Sequence, residues 1–234
     1  MVPSDSSWAR LIATSGEAAI WLADLDAADA GERALAVLSE DERARAARFV
    51  FDVHRRRFIA CRAWLRQQLG ERLTRAPHDL RFEYGPVGKP SLSGGALRFN
   101  VSHSDRYALL AVADAEIGVD IEQERPLSDM DALAERVFSA AERQALAQVP
   151  AGRKAEAFFA GWTRKEAYIK ARGEGIGLLA AIEVALTPGE PPRLIRVDGQ
   201  PDELERWSIQ ALSPVQGFAA AVCVEGRGRL FSPV

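Results

Sequence analysis

The 234-residue chain sets 30 Lys and Arg against 33 Asp and Glu, a net charge of -3, and 47% of its residues are hydrophobic. This is ordinary soluble composition, enough for one large domain or two of about 100 residues each; it gives no support to generic nucleic-acid binding, and no apolar run approaches a membrane span. Cys61 and Cys223 are too few and too far apart for a disulfide framework, so the expectation is a cytoplasmic monomer with two reduced thiols.

In chain order, residues 21–26 read as an apolar strand with acids two apart, Asp24 and Asp26. Ser39 and Glu42 then form a capping box, in which each side chain satisfies a free amide at a helix start. A longer helix follows, its apolar face opened by Phe58, Ile59 and Ala60. After a Gly88-Lys89-Pro90 loop come strands at 97–102 and 107–113, with Ser102 and His103 placed in the turn before Tyr107. The same order then returns: a strand at 117–122, a second capping box at Ser139 and Glu142, a long helix opened by Phe158, Phe159 and Ala160, and strands at 207–212 and 218–224. Gly173, Gly175 and Gly177 follow a helix, not a strand, so they read as a stop after Arg172 and not as a dinucleotide fingerprint.

The repeated order predicts an α+β fold made by pseudo-twofold duplication. Residues 1–115 and 116–234 form two similar halves, each a small antiparallel sheet packed with a long helix. The active site is expected in the crevice between them. Only the second long helix carries a lysine and a glutamate, Lys165 and Glu166, where the first has Trp64 and Leu65, so one site is expected and not two.

Two stretches concentrate the chemistry. In Gly118-Val119-Asp120-Ile121-Glu122, strand alternation puts both carboxylates on one side and Val119 and Ile121 on the other. In the helix through Trp162-Thr163-Arg164-Lys165-Glu166, Glu166 and Lys170 stand one turn apart. Glu166 falls on the apolar stripe marked by Phe158, Phe159, Trp162 and Ile169, where an unpaired carboxylate is costly. Three acids and a lysine thus suit a divalent cation beside a phosphate. Magnesium fits better than zinc, since the chain lacks paired Cys/His spacing and magnesium prefers carboxylates, waters and substrate phosphates. The competing bland reading is a solvated edge strand and an ordinary helix ion pair.

A basic stretch from Arg43 to Arg75 includes Arg45, Arg48, Arg55, Arg56, Arg57, Arg62 and Arg66. It reads either as a solvated helix face or as a rim for phosphates, which guanidinium groups grip in a two-pronged geometry.

Gly-Val-Asp-Ile-Glu, followed some forty residues later by Trp-Thr-x-Lys-Glu-Ala-x-x-Lys, resembles the Sfp-type 4'-phosphopantetheinyl transferases. The resemblance extends to Phe99-Asn100-Val101-Ser102-His103-Ser104, Gly88-Lys89-Pro90 and Asp52-Val53-His54-Arg55. It implies a magnesium-dependent transfer of the phosphopantetheine arm of coenzyme A to a serine of an apo acyl or peptidyl carrier protein, releasing 3',5'-ADP. On this resemblance, the second half holds the metal through Asp120, Glu122 and Glu166. Glu166 serves as general base, directly or through a water, and Lys170 acts on the leaving phosphate. The first half binds the nucleotide, with Arg55 and Lys89 as coenzyme contacts and Ser102 and His103 on the 3'-phosphate; Lys165 of the second half is a further phosphate contact. Coenzyme A and the carrier are the expected partners, with neither nucleic acid nor membrane.

Two rivals stand beside it. A magnesium nuclease also uses Asp, Glu and Lys near a scissile phosphate, although its usual Glu-x-Lys lies on a strand. An inactive module that binds coenzyme A or a carrier would have no need of intact acids and lysines.

Overall fold

The computed structural model describes residues 8–95 and 97–234; the first seven residues, counted above into the first half, lie outside them. The first half runs β1 (Ala9–Ser15), β2 (Ala18–Asp24), α1 (Glu32–Val37), α2 (Glu40–Ala47), α3 (Asp52–Leu73), a short pair β3 (Phe82–Tyr84) and β4 (Pro90–Leu92), then β5 (Arg98–Ser104) and β6 (Tyr107–Ala113). The second half runs β7 (Ile117–Gln123), α4 (Met130–Val137), α5 (Ala140–Gln148), α6 (Lys154–Arg172), a short pair β8 (Ile182–Val184) and β9 (Leu194–Val197), α7 (Glu203–Arg206), β10 (Trp207–Leu212) and β11 (Phe218–Glu225). From β2 onward the two series match element by element, α7 aside. The duplication includes a third helix and a short strand pair per half that the sequence pattern does not reveal.

The sheets repeat the same antiparallel order. The first half places β2, β6 and β5 side by side; the second places β7, β11 and β10. In each, the first strand of the unit pairs with the last. Strand β1 extends the first sheet, and the chain's final strand β12 (Ser232–Pro233) returns to pair with β1.

Alternation along the strands builds three cores. Ala108, Leu110 and Val112 of β6 face α3 with Trp64, Leu65 and Leu69. Leu109, Ala111 and Ala113 face the other way and meet Ile117, Val119 and Ile121 of β7 and Val222 and Val224 of β11. The two sheets therefore pack face to face. On the far side of the second sheet, Ala167, Tyr168 and Ile169 of α6 join Phe158, Ile209 and Ala221. The layers run helix, sheet, sheet, helix.

Both capping boxes form, and both of their glutamates are buried. Glu42 accepts from the Ser39 amide at 3.0 Å, and Glu142 from the Ser139 amide at 2.8 Å. Each glutamate is also held by a cation from the long helix of its own half: Glu42 by Arg62 and by Arg66 Nε at 2.6 Å, Glu142 by Lys165 at 2.5 Å. Arg62 and Arg66 are thus buried structural cations, not part of a phosphate rim.

Gly118 fixes the seating of α6. A Cβ there would lie 2.1 Å from the Ala167 carbonyl oxygen and 2.3 Å from the Ala171 amide. The helix backbone rests directly on this strand residue, on the side that also carries Asp120 and Glu122. At the other end α6 stops as its sequence suggests, with Gly173 in the left-handed region at φ 70°.

Candidate active site

Strands β5 and β7 lie alongside each other at the junction of the halves, joined by side chains. Asn100, Ser102 and Ser104 project from one face of β5. Asn100 Oδ1 accepts from the Val119 amide at 2.9 Å, Ser102 Oγ donates to Asp120 Oδ1 at 2.8 Å, and Ser104 Oγ donates to Glu122 Oε2 at 2.9 Å. Three alternating polar residues of one half thereby hold the acidic strand of the other. The Phe-Asn-x-Ser-x-Ser spacing is the signal that would have disclosed this.

Lys170 completes the cluster. Its ammonium donates to Asp120 Oδ1 at 2.5 Å and to Ser102 Oγ at 3.1 Å, with 30% of the side chain exposed. Asp120 Oδ2 is buried and has no hydrogen-bond partner among the described residues. Burial raises the Asp120 pKa against the pull of Lys170. Burial also raises those of Glu122, helped by Asp120, and of Glu166, where Lys170 opposes and both other acids add to the rise. Three carboxylates thus share one region, Asp120 making Glu122 harder to ionise and both of them doing the same to Glu166.

An orphaned buried carboxylate oxygen beside two further acids fits a hard divalent cation. Among the described residues no three His, Cys, Asp or Glu side chains close into a cage. Asp120, Glu122 and Glu166 therefore do not form a closed three-ligand site as they stand; magnesium typically takes one or two carboxylates, with waters and substrate phosphates for the rest. The first copy of the motif offers no second set. Asp24 is tied to Arg106, and Asp26 accepts from Arg57 Nε at 2.7 Å.

Two clefts border the cluster. The first, of about 540 Å³, has an apolar wall of Leu25, Phe49 and Phe58 and a polar one including Arg45, His54, His103 and Arg125; Ser104, the partner of Glu122, also lines it. The second, of about 420 Å³, is lined by Lys89, Val101, Glu166, Ile169, Lys170 and Ile176, among others. The His103 ring is exposed by area yet crowded by the cleft walls. That crowding, with Lys170 and Arg45 nearby, lowers its pKa and favours the neutral ring.

Several sequence expectations need correction. Ser102 and His103 lie within β5, which runs on through Ser104, and not in the turn; they point to opposite faces. His103 enters the first cleft, while Ser102 is buried against Asp120, so they do not grip one phosphate together. Arg55 is exposed and pairs with Asp52 at 2.6 Å; the neighbouring cleft is lined by His54 and Arg57, because one residue along a helix turns the side chain by about 100°. Arg57 itself is spent on Asp26 and on Asp105 at 2.8 Å. Lys89 lines the second cleft but is latched to Glu116 at 2.9 Å and to the Ala171 carbonyl at 2.7 Å. Lys165 is 0% exposed, so it reaches no phosphate. Arg45 and His54, which the sequence reading named only within the basic stretch and the Asp52–Arg55 run, are the ones that line the cleft; the phase of α2, set by its buried Glu42 and Ala46, could have singled out Arg45.

Comparison with known proteins agrees with the geometry. Residues 116–223 match the model of the 4'-phosphopantetheinyl transferase superfamily, and residues 28–115 match that of the 4'-phosphopantetheinyl transferase N-terminal region. The 4'-phosphopantetheinyl transferase HetI of Nostoc sp. is 43% identical over 225 residues, covering 94% of this chain and 92% of that one. The 4'-phosphopantetheinyl transferase psf-1 of Bacillus pumilus is 34% identical over 80% of this chain and 78% of its own length, and Sfp of Bacillus subtilis is 28% identical over 82% and 84%. The GxDxE strand, the Lys-Glu helix and the two halves that bring them together belong to one lineage: the chain is a member of the 4'-phosphopantetheinyl transferase family and a transferase of that class.

Proposed function

We propose that this transferase moves the phosphopantetheine arm of coenzyme A onto a serine of an apo acyl or peptidyl carrier protein, releasing 3',5'-ADP, with magnesium as cofactor. The observation that carries the reading is the Lys170–Asp120–Ser102 triangle, with Asp120 Oδ2 left unpartnered beside Glu122 and Glu166.

Asp120, Glu122 and Glu166 would hold the metal, which when bound neutralises pyrophosphate charge and makes the β-phosphorus open to attack. In the first cleft, Phe49 and Phe58 offer the adenine an apolar wall, and Arg45, His54 and His103 face the 3'-phosphate. The pantetheine arm runs from the acid cluster into the second cleft. Glu166 takes the proton of the attacking serine hydroxyl. The β-phosphorus then loses its bond to the bridging oxygen, and Lys170 stabilises the charge that develops there. Positioning and electrostatics suffice for phosphoryl transfer, so this small set is enough.

Incubation with coenzyme A, magnesium and a panel of apo carrier proteins, followed by intact-mass analysis, tests the proposal. One carrier should gain the mass of a single phosphopantetheine arm. Tight coenzyme A binding with no carrier modified would leave only a binding module.

A further inference from the structure

We propose that Lys165, together with Glu142, is a positioning residue that fixes the rotation of α6 and so aims Glu166 and Lys170 at the crevice. The inference rests on the reading of Glu166 as general base.

All three ammonium protons of Lys165 are engaged: with Glu142 Oε2 at 2.5 Å, the Val137 carbonyl at 2.7 Å and the Leu179 carbonyl at 2.9 Å. Glu142 in turn accepts from the Ser139 amide at 2.8 Å and the Val184 amide at 2.9 Å. Through one side chain, α6 is therefore tied to the end of α4, the start of α5, the turn after α6 and strand β8. The glutamate is only 3% exposed, so water does not compete for these bonds.

On its other side, α6 rests on Gly118 through the backbone at Ala167 and Ala171. That contact sets how closely the helix approaches β7. Its roll is restrained by the packing of Phe158 and Ile169 and by Tyr168, whose hydroxyl donates to Glu203 at 2.6 Å, and Lys165 adds the anchor on the residue next to Glu166. Lys165 precedes Ala167 by two residues, about 200° around the axis, so it anchors nearly the opposite side. Glu166 lies between the two anchors, about 100° from each. A side-chain tip stands roughly 6 Å from the helix axis, so a roll of about 10° moves it by about 1 Å. A displacement of that size at a reacting group costs on the order of 100-fold in rate.

The first half uses the same device, with Glu42 held by Arg62 and Arg66. Its long helix presents no acid to the site, so there the pair serves folding alone. A purely structural role is accordingly the alternative for Lys165.

The test uses the full chain with coenzyme A, magnesium and an apo carrier. Lys165→Met with Glu142→Gln removes both charges at once and avoids stranding either in the core. This double variant should fold, shown by an unchanged circular dichroism spectrum and a cooperative melt, and keep its coenzyme A Kd within about twofold, while kcat falls about 10- to 100-fold. Adding Glu166→Gln should then cost much less than it costs the wild type, because the base is already misplaced. If the double variant does not fold, Glu142→Asp is the second arm: it keeps the charge pair and shortens the acid's reach by one methylene, with a smaller loss in kcat expected at unchanged coenzyme A affinity. Wild-type kcat in either folded variant, or losses that multiply fully with that of Glu166→Gln, would overturn the proposal. Wild-type kcat in Glu166→Gln itself would instead remove the base assignment on which it rests.

Discussion

The ammonium of Lys170 lies 2.5 Å from Asp120 Oδ1 while the other oxygen of that carboxylate, Oδ2, has no partner among the described residues. One carboxylate thus has a satisfied oxygen and a buried, unsatisfied one beside it. Lys170→Met keeps the stem and deletes the charge. Single-turnover transfer should slow by about 10²- to 10⁴-fold, as loss of a proton-transfer or leaving-group partner does, with coenzyme A affinity by calorimetry little changed. Normal turnover would reduce Lys170 to an ion pair for Asp120.

Glu166 is 8% exposed and accepts no hydrogen bond among the described residues, and burial and its acidic neighbours disfavour its charge. Activity and stability should therefore move in opposite directions. Glu166→Gln should lose transfer yet gain about 1 kcal/mol against urea at pH 7. A lower urea midpoint at pH 7 would show that the ionised carboxylate is well accommodated.

Arg45, not Arg55, should matter to the nucleotide. Arg45→Ala and His103→Ala should each raise the coenzyme A KM about tenfold, in keeping with about 1.5 kcal/mol for a charged hydrogen bond, and should cost dephospho-coenzyme A less. Arg55→Ala, altering only an exposed pair with Asp52, should leave both substrates unaffected. Equal effects on the two substrates would take His103 and Arg45 off the 3'-phosphate.

Glu42 supplies a pH signature of the fold. Burial would raise its pKa, but Arg62 and Arg66 outweigh burial and hold it below the usual carboxylate value. Its stabilisation is therefore present above the unfolded pKa of about 4.3 and is lost as pH falls through the lower folded value. Glu42→Gln should cost about 3 kcal/mol at pH 7 by stranding two buried arginines. In urea titrations at several pH values, the gap from wild type should narrow only under acid conditions. A gap independent of pH would mean that shape, not charge, holds the pair.

The acids of β7 were legible because strand alternation is a strict rule and a carboxylate on an apolar helix stripe breaks one. The duplication was legible because both halves keep their capping boxes and strand pairs. Residue-level placement failed where neighbours in sequence diverge in space. Ser102 and His103 are adjacent in a motif yet face opposite sides of β5. Lys165 adjoins Glu166 yet is buried against Glu142, 23 residues earlier in the chain, and nothing local marks that partner. Gly118 reads as a small residue in a strand; only the helix lying on it explains why it has no side chain.

If phosphopantetheine transfer occurs at the Asp120 cluster with magnesium, Asp120→Asn should be close to inactive. Single-turnover transfer from saturating coenzyme A to an apo carrier, read by intact mass, should fall at least about 100-fold in the variant while its circular dichroism stays native. In the wild type, transfer should cease in excess chelator and return with added magnesium. Undiminished transfer by Asp120→Asn, or by the wild type in excess chelator, would mean that the reaction needs neither this carboxylate nor a divalent metal.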